Sequence, residues 1–383
     1  MTSTTSDTPA LPRPRAADDD RLRGRFVFLD GLRGITAVAI ALFHFNNQWF
    51  SPTHRDFSAL LPAPVLAVWS RLDLGVELFF VISGFVMAHS LWARRVTLPF
   101  IGNFILRFMA RLSPPYWVVL FATMGWPYLV FPTLMAGFFD QFGGWTGLLI
   151  NMFYLPDVLG RPRMVPVAWT VFLEVQFYLA FIALLWLGDL CGRRSAKLGR
   201  AVLAASFALV ALASAVHWFR TGANDFSGRW WTFAIGSIIY AAVRRSWNAP
   251  AVLAGLALLT VVGMVRNEPH SLVVAGTCAL VYVSAAFGGL KTWLGSRPLQ
   301  YLGRISYSLY LVHIPVGIGM LGMIRHFGDK SATSTVTGVV AGLLMSLLVA
   351  DLLHRVVEAP AARLSGWLRP GHKSEPQRPQ RSP

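Results

Sequence analysis

Residues 26–49 read FVFLDGLRGITAVAIALFHFNNQW, an apolar run long enough to cross a bilayer as a helix. The run contains Asp30, Arg33 and His44, although an ionisable group at the membrane centre costs at least a few kcal/mol. Arg33 and His44 are eleven residues apart, which places them within about 20° of one helix face and about 16 Å apart along the axis. A cation and a titratable base on one face of a membrane helix indicate a reaction path across the membrane.

The composition of the whole chain agrees with this first segment. Of 383 residues, 55% are hydrophobic and only 14% are charged, against about 25% charged in soluble domains. We therefore predict an all-α fold, a polytopic membrane helix bundle of about ten transmembrane helices. The apolar stretches are 27–49, 72–92, 114–137, 166–187, 199–219, 229–245, 249–265, 270–288, 304–324 and 333–357.

Charge predicts the orientation of this bundle. If the N-terminus is cytoplasmic, 24 of the 34 Lys and Arg residues fall on the cytoplasmic side and 9 on the other, and Arg33 lies within the first stretch. The positive-inside rule then places both termini in the cytoplasm. The net charge of +16 is explained by a surface that faces anionic lipid, so it requires no nucleic-acid partner. The polar segments 1–25 and 362–383 are predicted to be disordered cytoplasmic tails around a membrane domain at 26–361.

Two acidic residues are candidates for the chemistry. Glu77 lies about five residues into the second stretch, at a depth similar to that of His44, where it could orient the imidazole and raise its basicity. The alternative is an acid that is simply solvated at the headgroup level. Glu174 lies about eight residues from the outer end of the fourth stretch, deep enough to require a partner. His44, Glu77 and Glu174 form the predicted catalytic set.

Two arginines precede the third stretch in RFMARLSPPYW. Arg107 and Arg111 are separated by four residues and share a helix face, where two guanidinium groups would bind phosphate well. The alternative is that they only mark the cytoplasmic membrane edge. His313, near the middle of the ninth stretch, is a possible additional catalytic residue or a helix–helix hydrogen-bonding residue.

Two further residues are possible members of the site. Asp30 lies on the first helix, and Trp169 at the start of the fourth stretch is an interfacial anchor or a pocket wall. No metal site is predicted. GIGMLG at 317–322 matches a nucleotide-binding pattern but lies in a membrane helix, so it is interpreted as a packing feature.

Six segments in this order resemble the acyltransferase-3 family of membrane O-acyltransferases. They are FLDGLRGITAVAIALFHF (28–45), GVELFFVISGFVMAHSL (75–91), RFMARLSPPYW (107–117), AWTVFLEVQFYL (168–179), GRISYSLYLVHIPV (303–316) and VVEAP (356–360). The family's essential R-x10-H pattern falls on Arg33 and His44. Its R-x-x-R pattern corresponds loosely to Arg107 and Arg111, which are spaced one residue wider. The resemblance is to members without the C-terminal esterase-like domain.

The resemblance implies a mechanism. Cytoplasmic acyl-CoA, most simply acetyl-CoA, would dock its phosphates on Arg33, Arg107 and Arg111. His44 would act as general base on a hydroxyl of a surface or exported carbohydrate, or as a transient acyl carrier. No permanently bound cofactor is expected, and the plasma membrane is the expected location.

Other interpretations of the buried charges stay open. The acceptor could be a macrolide-like natural product rather than a polysaccharide. A transporter or flippase of a lipid-linked sugar would also place charges in the membrane, although it would typically show an internal repeat. The oligomeric state does not follow from the sequence.

Overall fold

The computed structural model of the chain is predominantly helical in the part that it describes, which is residues 22, 24–46, 54–91, 94–130, 137–222, 225–244, 249–328 and 331–368. No strand occurs in these ranges. The predicted all-α bundle is therefore confirmed. The predicted tail at 1–25 lies almost entirely outside the described residues. The helices are α1 Val27–Phe45, α2 His54–Leu60, α3 Ala63–Trp69, α4 Gly75–Leu91, α5 Leu98–Val130, α6 Phe138–Gln141, α7 Gly144–Met152, α8 Trp169–Gly192, α9 Ala196–Thr221, α10 Phe226–Val243, α11 Ala249–Val265, α12 Pro269–Ala286, α13 Arg297–Val312, α14 Gly319–Phe327, α15 Ala332–Leu353 and α16 Ala359–Trp367.

Seven helical segments among the described residues are long and apolar enough to cross a membrane. Every one of the ten predicted stretches overlaps a helix. The predicted number of about ten crossings is nevertheless not confirmed, because α5, α10 and the shorter α11 are not among the seven. The seven segments are Val27–Phe45, Ala63–Leu91, Pro166–Gly192, Ala196–Thr221, Pro269–Ala286, Arg297–Phe327 and Ala332–Trp367.

Helix ends follow ordinary capping chemistry. Ser195, Asp225 and Ser331 each precede a helix and accept a hydrogen bond from the backbone N–H three residues on, which satisfies one of the free donors of the first turn. At its other end, α9 stops at Gly222, whose φ of 63° is left-handed. These polar caps separate helices whose apolar character alone would not mark their boundaries.

The last helix extends beyond the predicted boundary at residue 361. α16 continues to Trp367, and its final carbonyls accept hydrogen bonds from α5: Arg107 Nε lies 3.0 Å from Ser365 O, and Asn103 Nδ2 lies 2.8 Å from Leu368 O. Because the last carbonyls of a helix have no partner inside the helix, these side chains stabilise its end. Residues 362–367, which were predicted to belong to a disordered tail, are therefore helical.

Glycines bring two pairs of helices into backbone contact. In the parallel pair α4 and α10, Gly84 faces the carbonyl of Phe233 and Gly236 faces the carbonyl of Val81, so closely that a Cβ at either glycine would lie about 2 Å from an oxygen. Small residues permit such close approach, and dispersion forces between the backbones then hold membrane helices together.

The second close pair is parallel and consists of α1 and α13. Gln300 Nε2 donates to Val27 O over 2.8 Å where both helices begin. Further along the two helices, Gly34 lies against the backbone of Gly303. We call the end of the bundle that holds Val27 the Val27 end and the opposite end the His44 end. The shared direction of α1 and α13 determines which of their side chains meet at the His44 end.

Candidate active site

His44 and His313 form a hydrogen-bonded pair near the His44 end of α1. The distance between His44 Nδ1 and His313 Nε2 is 3.1 Å, and their ring centroids are 5.0 Å apart. His313 is fully buried, whereas His44 is partly exposed. His44 is therefore the member of the pair that a reactant can approach.

The register of α1 and α13 positions this pair. Gly34 and Gly303 are the facing glycines, and each histidine lies ten residues further along its own helix. A Cβ on Gly34 would lie 2.5 Å from the backbone nitrogen of Gly303, so no larger residue permits this approach without movement. The close glycine contact thus determines how near the two imidazoles lie.

A π-helix begins at the second histidine. Residues His313–Ile318 read HIPVGI and form this segment between α13 and α14. Pro315 has no backbone N–H to donate, which favours local rearrangement of the helical hydrogen bonds. Such π-segments occur frequently at functional sites.

Backbone carbonyls assign the tautomers of both rings. His313 Nδ1 lies 3.2 Å from Leu309 O, and His44 Nδ1 lies 3.0 Å from Ile40 O. Since a carbonyl only accepts, each Nδ1 carries the hydrogen. His313 Nε2 then accepts from His44 Nδ1–H, which is shared with Ile40 O. The lone pair of His44 is consequently on Nε2, where it can take a proton.

Glu77 does not have the predicted role beside His44. It forms a buried ion pair with Arg229, and His270 Nδ1 lies 2.9 Å from the same carboxylate oxygen. The Arg229 guanidinium also stacks over the Trp218 ring at 3.7 Å. Glu77 and Arg229 are only 1% and 3% exposed, so each charge needs the other. The residue that meets His44 is His313, and Glu77 instead ties α4 to α10 and α12.

The sequence did not predict a role for Arg229, which is the first residue of the sixth apolar stretch, 229–245. Its signal is local: Asp225 caps α10 through Gly228 N at 2.8 Å, so Arg229 already lies inside the helix. A capping aspartate four residues earlier could have identified it as a membrane arginine in need of a carboxylate.

Glu174 has the partners that its depth requires. Ser83 Oγ donates to Glu174 Oε1 over 2.8 Å, and the Tyr178 hydroxyl donates to the same oxygen over 2.6 Å. The ring of Tyr178 lies edge-on to that of Phe108. Glu174 therefore belongs to a polar network between α4 and α8, and its catalytic role stays a prediction.

The three predicted donor-binding arginines have different environments. The Nε of Arg33 is buried and has no hydrogen-bond partner within the described part of the chain. Arg107 donates from Nε to Ser365 O of α16, and Arg111 is exposed on α5. Of the three, Arg33 is thus the one with a buried Nε that lacks a partner among the described residues, whereas Arg107 supports the end of α16.

The two additional residues are also located. Asp30 pairs with Arg25 at the Val27 end, where both side chains are partly exposed. Trp169 begins α8, lies edge-on to Phe80 with centroids 6.2 Å apart, and forms part of the wall of an open cleft. The role of Trp169 in the site stays a prediction.

Comparison with known proteins identifies the class. A family model described as an acyltransferase domain matches residues 26–355. The chain belongs to the acyltransferase-3 family, and it is an acyltransferase of the membrane O-acyltransferase group. No solved structure matches the chain.

Individual relatives are also acyltransferases. The chain is 27% identical to acyltransferase MdmB of Streptomyces mycarofaciens over 90% of this chain and 94% of that protein. It is 24% identical to the putative peptidoglycan O-acetyltransferase YrhL of Bacillus subtilis, over 87% of this chain and 54% of the relative. It is 20% identical to the peptidoglycan O-acetyltransferase OatA of Listeria monocytogenes, over 89% and 56%. The chain therefore spans nearly all of MdmB and about half the length of the two peptidoglycan relatives.

Proposed function

We propose that this acyltransferase moves an acyl group, most simply acetyl, from cytoplasmic acyl-CoA to a hydroxyl of a surface or exported carbohydrate. The observation that supports it best is the 3.1 Å contact between His44 and His313 inside a membrane bundle of this family. The names of two relatives, peptidoglycan O-acetyltransferases, favour acetyl transfer to a carbohydrate. In this proposal the bundle lies in the plasma membrane, with the Val27 end and both termini at the cytoplasm.

His44 is the proposed general base. Its Nε2 takes the proton of the acceptor hydroxyl while the oxygen attacks the thioester carbonyl carbon. The carbon–sulfur bond then breaks, and the departing CoA thiolate receives the proton from the imidazolium. Through its Nε2, His313 accepts a hydrogen bond from His44 Nδ1–H, so it holds the reactive ring in the correct orientation and tautomer. Acyl-CoA is consumed as donor, and the mechanism needs no permanently bound cofactor.

Arg33 is the proposed donor-binding residue. Its Nε, which has no partner among the residues that the structure describes, lies on the same face of α1 as His44, about 16 Å away along the axis. A guanidinium group binds phosphate oxygens in a planar, bidentate geometry that lysine does not reproduce. Arg111 adds positive charge from α5, while Arg107 also supports the last helix. Acyl-CoA would then enter from the Val27 end with its thioester directed towards His44.

The test uses purified protein in nanodiscs with labelled acetyl-CoA and candidate carbohydrate acceptors. His44→Ala should retain donor binding and lose acyl transfer by about 10²–10⁴-fold, the usual effect of removing a general base. His313→Ala should give a smaller loss, because His44 keeps its own Nε2 lone pair.

Two results would contradict this assignment. Normal transfer by His44→Ala would remove histidine catalysis at this position. Movement of a lipid-linked sugar across vesicles without any acyl transfer would instead favour a flippase.

A further inference from the structure

An open cleft separate from the histidine pair lies at the start of α8, and both charged and apolar residues line it. It has a cavity volume of about 650 Å³, within the range of about 300–1,000 Å³ usual for small-molecule sites. Trp169 lines it together with three prolines, a glycine and four charged side chains. The charged residues are Asp157, Arg161, Arg163 and Asp225. Two carboxylates and two guanidinium groups leave the cleft without net charge.

A buried asparagine holds the loop that forms most of this cleft. Asn151 is fully buried; its Nδ2 donates to Gly147 O over 2.9 Å and to Pro162 O over 3.2 Å, and its Oδ1 accepts from Met164 N over 3.0 Å. Tyr154 anchors the same loop from a left-handed backbone position with φ of 63°. Its ring stacks on that of Tyr116 at 5.2 Å. Because these contacts hold the loop, the cleft is formed before any ligand enters.

The polar groups in the cleft are arranged to accept and donate hydrogen bonds. Asp157 Oδ1 pairs with Arg163 Nε at 2.5 Å, while Asp157 Oδ2 is buried with no partner among the described residues. The side chain of Asp225 is exposed. The small loss of hydration that it does undergo raises its pKa, but hydrogen bonds from Ser227 and Gly228 stabilise the charged carboxylate and bring the pKa below its usual value. Carboxylate oxygens beside an indole ring match a ligand with both hydroxyl groups and an apolar face.

One tyrosine connects the cleft wall to the catalytic pair. Thr170, next to Trp169, donates from Oγ1 to the Tyr310 hydroxyl over 2.8 Å, and that hydroxyl donates to Val167 O over 3.1 Å. The ring of Tyr310 lies 5.6 Å from the ring of His313. The wall that contains Trp169 is therefore connected to the histidine pair through Thr170 and Tyr310.

We propose that this cleft binds a neutral sugar ring of the acceptor, with one ring face on Trp169 and its hydroxyls on Asp157 and Asp225. The inference rests on the proposed function, since it supplies the acceptor subsite of the same reaction. A strongly charged ligand does not match a cleft without net charge. An acyl chain would make no hydrogen bonds with the charged side chains that line the cleft. A sugar ring satisfies both the polar groups and the indole.

The test measures sugar binding separately from catalysis. Saturation-transfer NMR on the protein in nanodiscs would use N,N′-diacetylchitobiose to represent cell-wall glycan and a methyl 6-deoxyhexopyranoside to represent glycosylated small molecules. Trp169→Ala should weaken binding about tenfold, as expected for losing an aromatic stacking partner, and Trp169→Phe should restore most of it. Asp157→Asn should weaken binding while the fold is kept. Trp145→Ala, a matched change at a tryptophan that is 76% exposed and outside the cleft, should bind as the wild type does.

Each outcome supports or overturns the subsite. Binding of either sugar that depends on Trp169 and Asp157 supports it, and the sugar that binds identifies the acceptor source. Equal binding by the wild type and both variants overturns it, as does the absence of binding by either sugar. If Trp169→Ala does not fold, Trp169→Phe and Asp157→Asn give the answer. Sugar binding at the cleft with no acyl transfer from any donor would refute the proposed function and leave the subsite intact.

Discussion

Replacing Gly34 by alanine should separate the two histidines without altering either of them. The added Cβ would lie 2.5 Å from the Gly303 nitrogen, against an ordinary contact of at least 3.4 Å. The helices α1 and α13 must therefore move apart by about 0.9 Å, since backbone atoms cannot rotate away. Applied to the histidine pair, this shift lengthens the 3.1 Å contact to about 4 Å, beyond hydrogen-bond range.

We expect this change to lower acyl transfer about 10²-fold, the usual effect of displacing a catalytic group by about 1 Å. The assay is transfer of labelled acetyl from acetyl-CoA by nanodisc-embedded protein, with donor binding measured in parallel. Gly276→Ala is the matched control, because a Cβ there meets nothing within 4 Å. Unchanged transfer by Gly34→Ala, together with inactive His44→Ala, would show that the spacing of the pair does not matter and would refute this reasoning.

Three other changes test the remaining parts of the structure. Glu77→Gln should destabilise the protein by about 3–5 kcal/mol, because it leaves the buried Arg229 charge without its counter-ion. The control is Asp351→Asn, which removes an ion pair with Arg355, a side chain that is 71% exposed. This control should change the thermal midpoint little. A Glu77→Gln protein with the wild-type midpoint would contradict the structural role of that pair. Arg33→Lys should raise the KM for acyl-CoA, and unchanged donor kinetics would exclude it from donor binding. Reporter fusions at Ser51 and Arg95 should fall on opposite sides of the membrane, and a same-side result would contradict the predicted topology.

The sequence predicted the helical class because hydropathy is a property of each segment by itself. It also singled out His44 and Arg33, since a membrane helix rarely contains ionisable residues without a function. Segment ends were harder to predict. α5 begins at Leu98 rather than near residue 114, and α16 reaches Trp367. At the end of α16 the stabilisation comes from Asn103 and Arg107 of α5 rather than from local hydropathy.

The choice of partner for each buried charge could not be predicted in the same way. Glu77 and His44 were expected to pair because each lies about five residues from an outer helix end. Depth along the membrane normal is only one coordinate, and the other two are set by which helices pack together. The glycines of α4 and α10 bring Glu77 to Arg229, and those of α1 and α13 bring His44 to His313.

The sequence alone therefore determined that this protein is a membrane helix bundle with a titratable histidine and an arginine on one helix face. Only the tertiary structure decided that His313, 269 residues away along the chain, is the partner of that histidine. The physical reason is that hydropathy and helical periodicity describe one membrane-spanning segment at a time. The 3.1 Å contact between the two histidine side chains depends instead on how closely the backbones of two such segments approach each other. That approach is permitted by the missing Cβ atoms of Gly34 and Gly303.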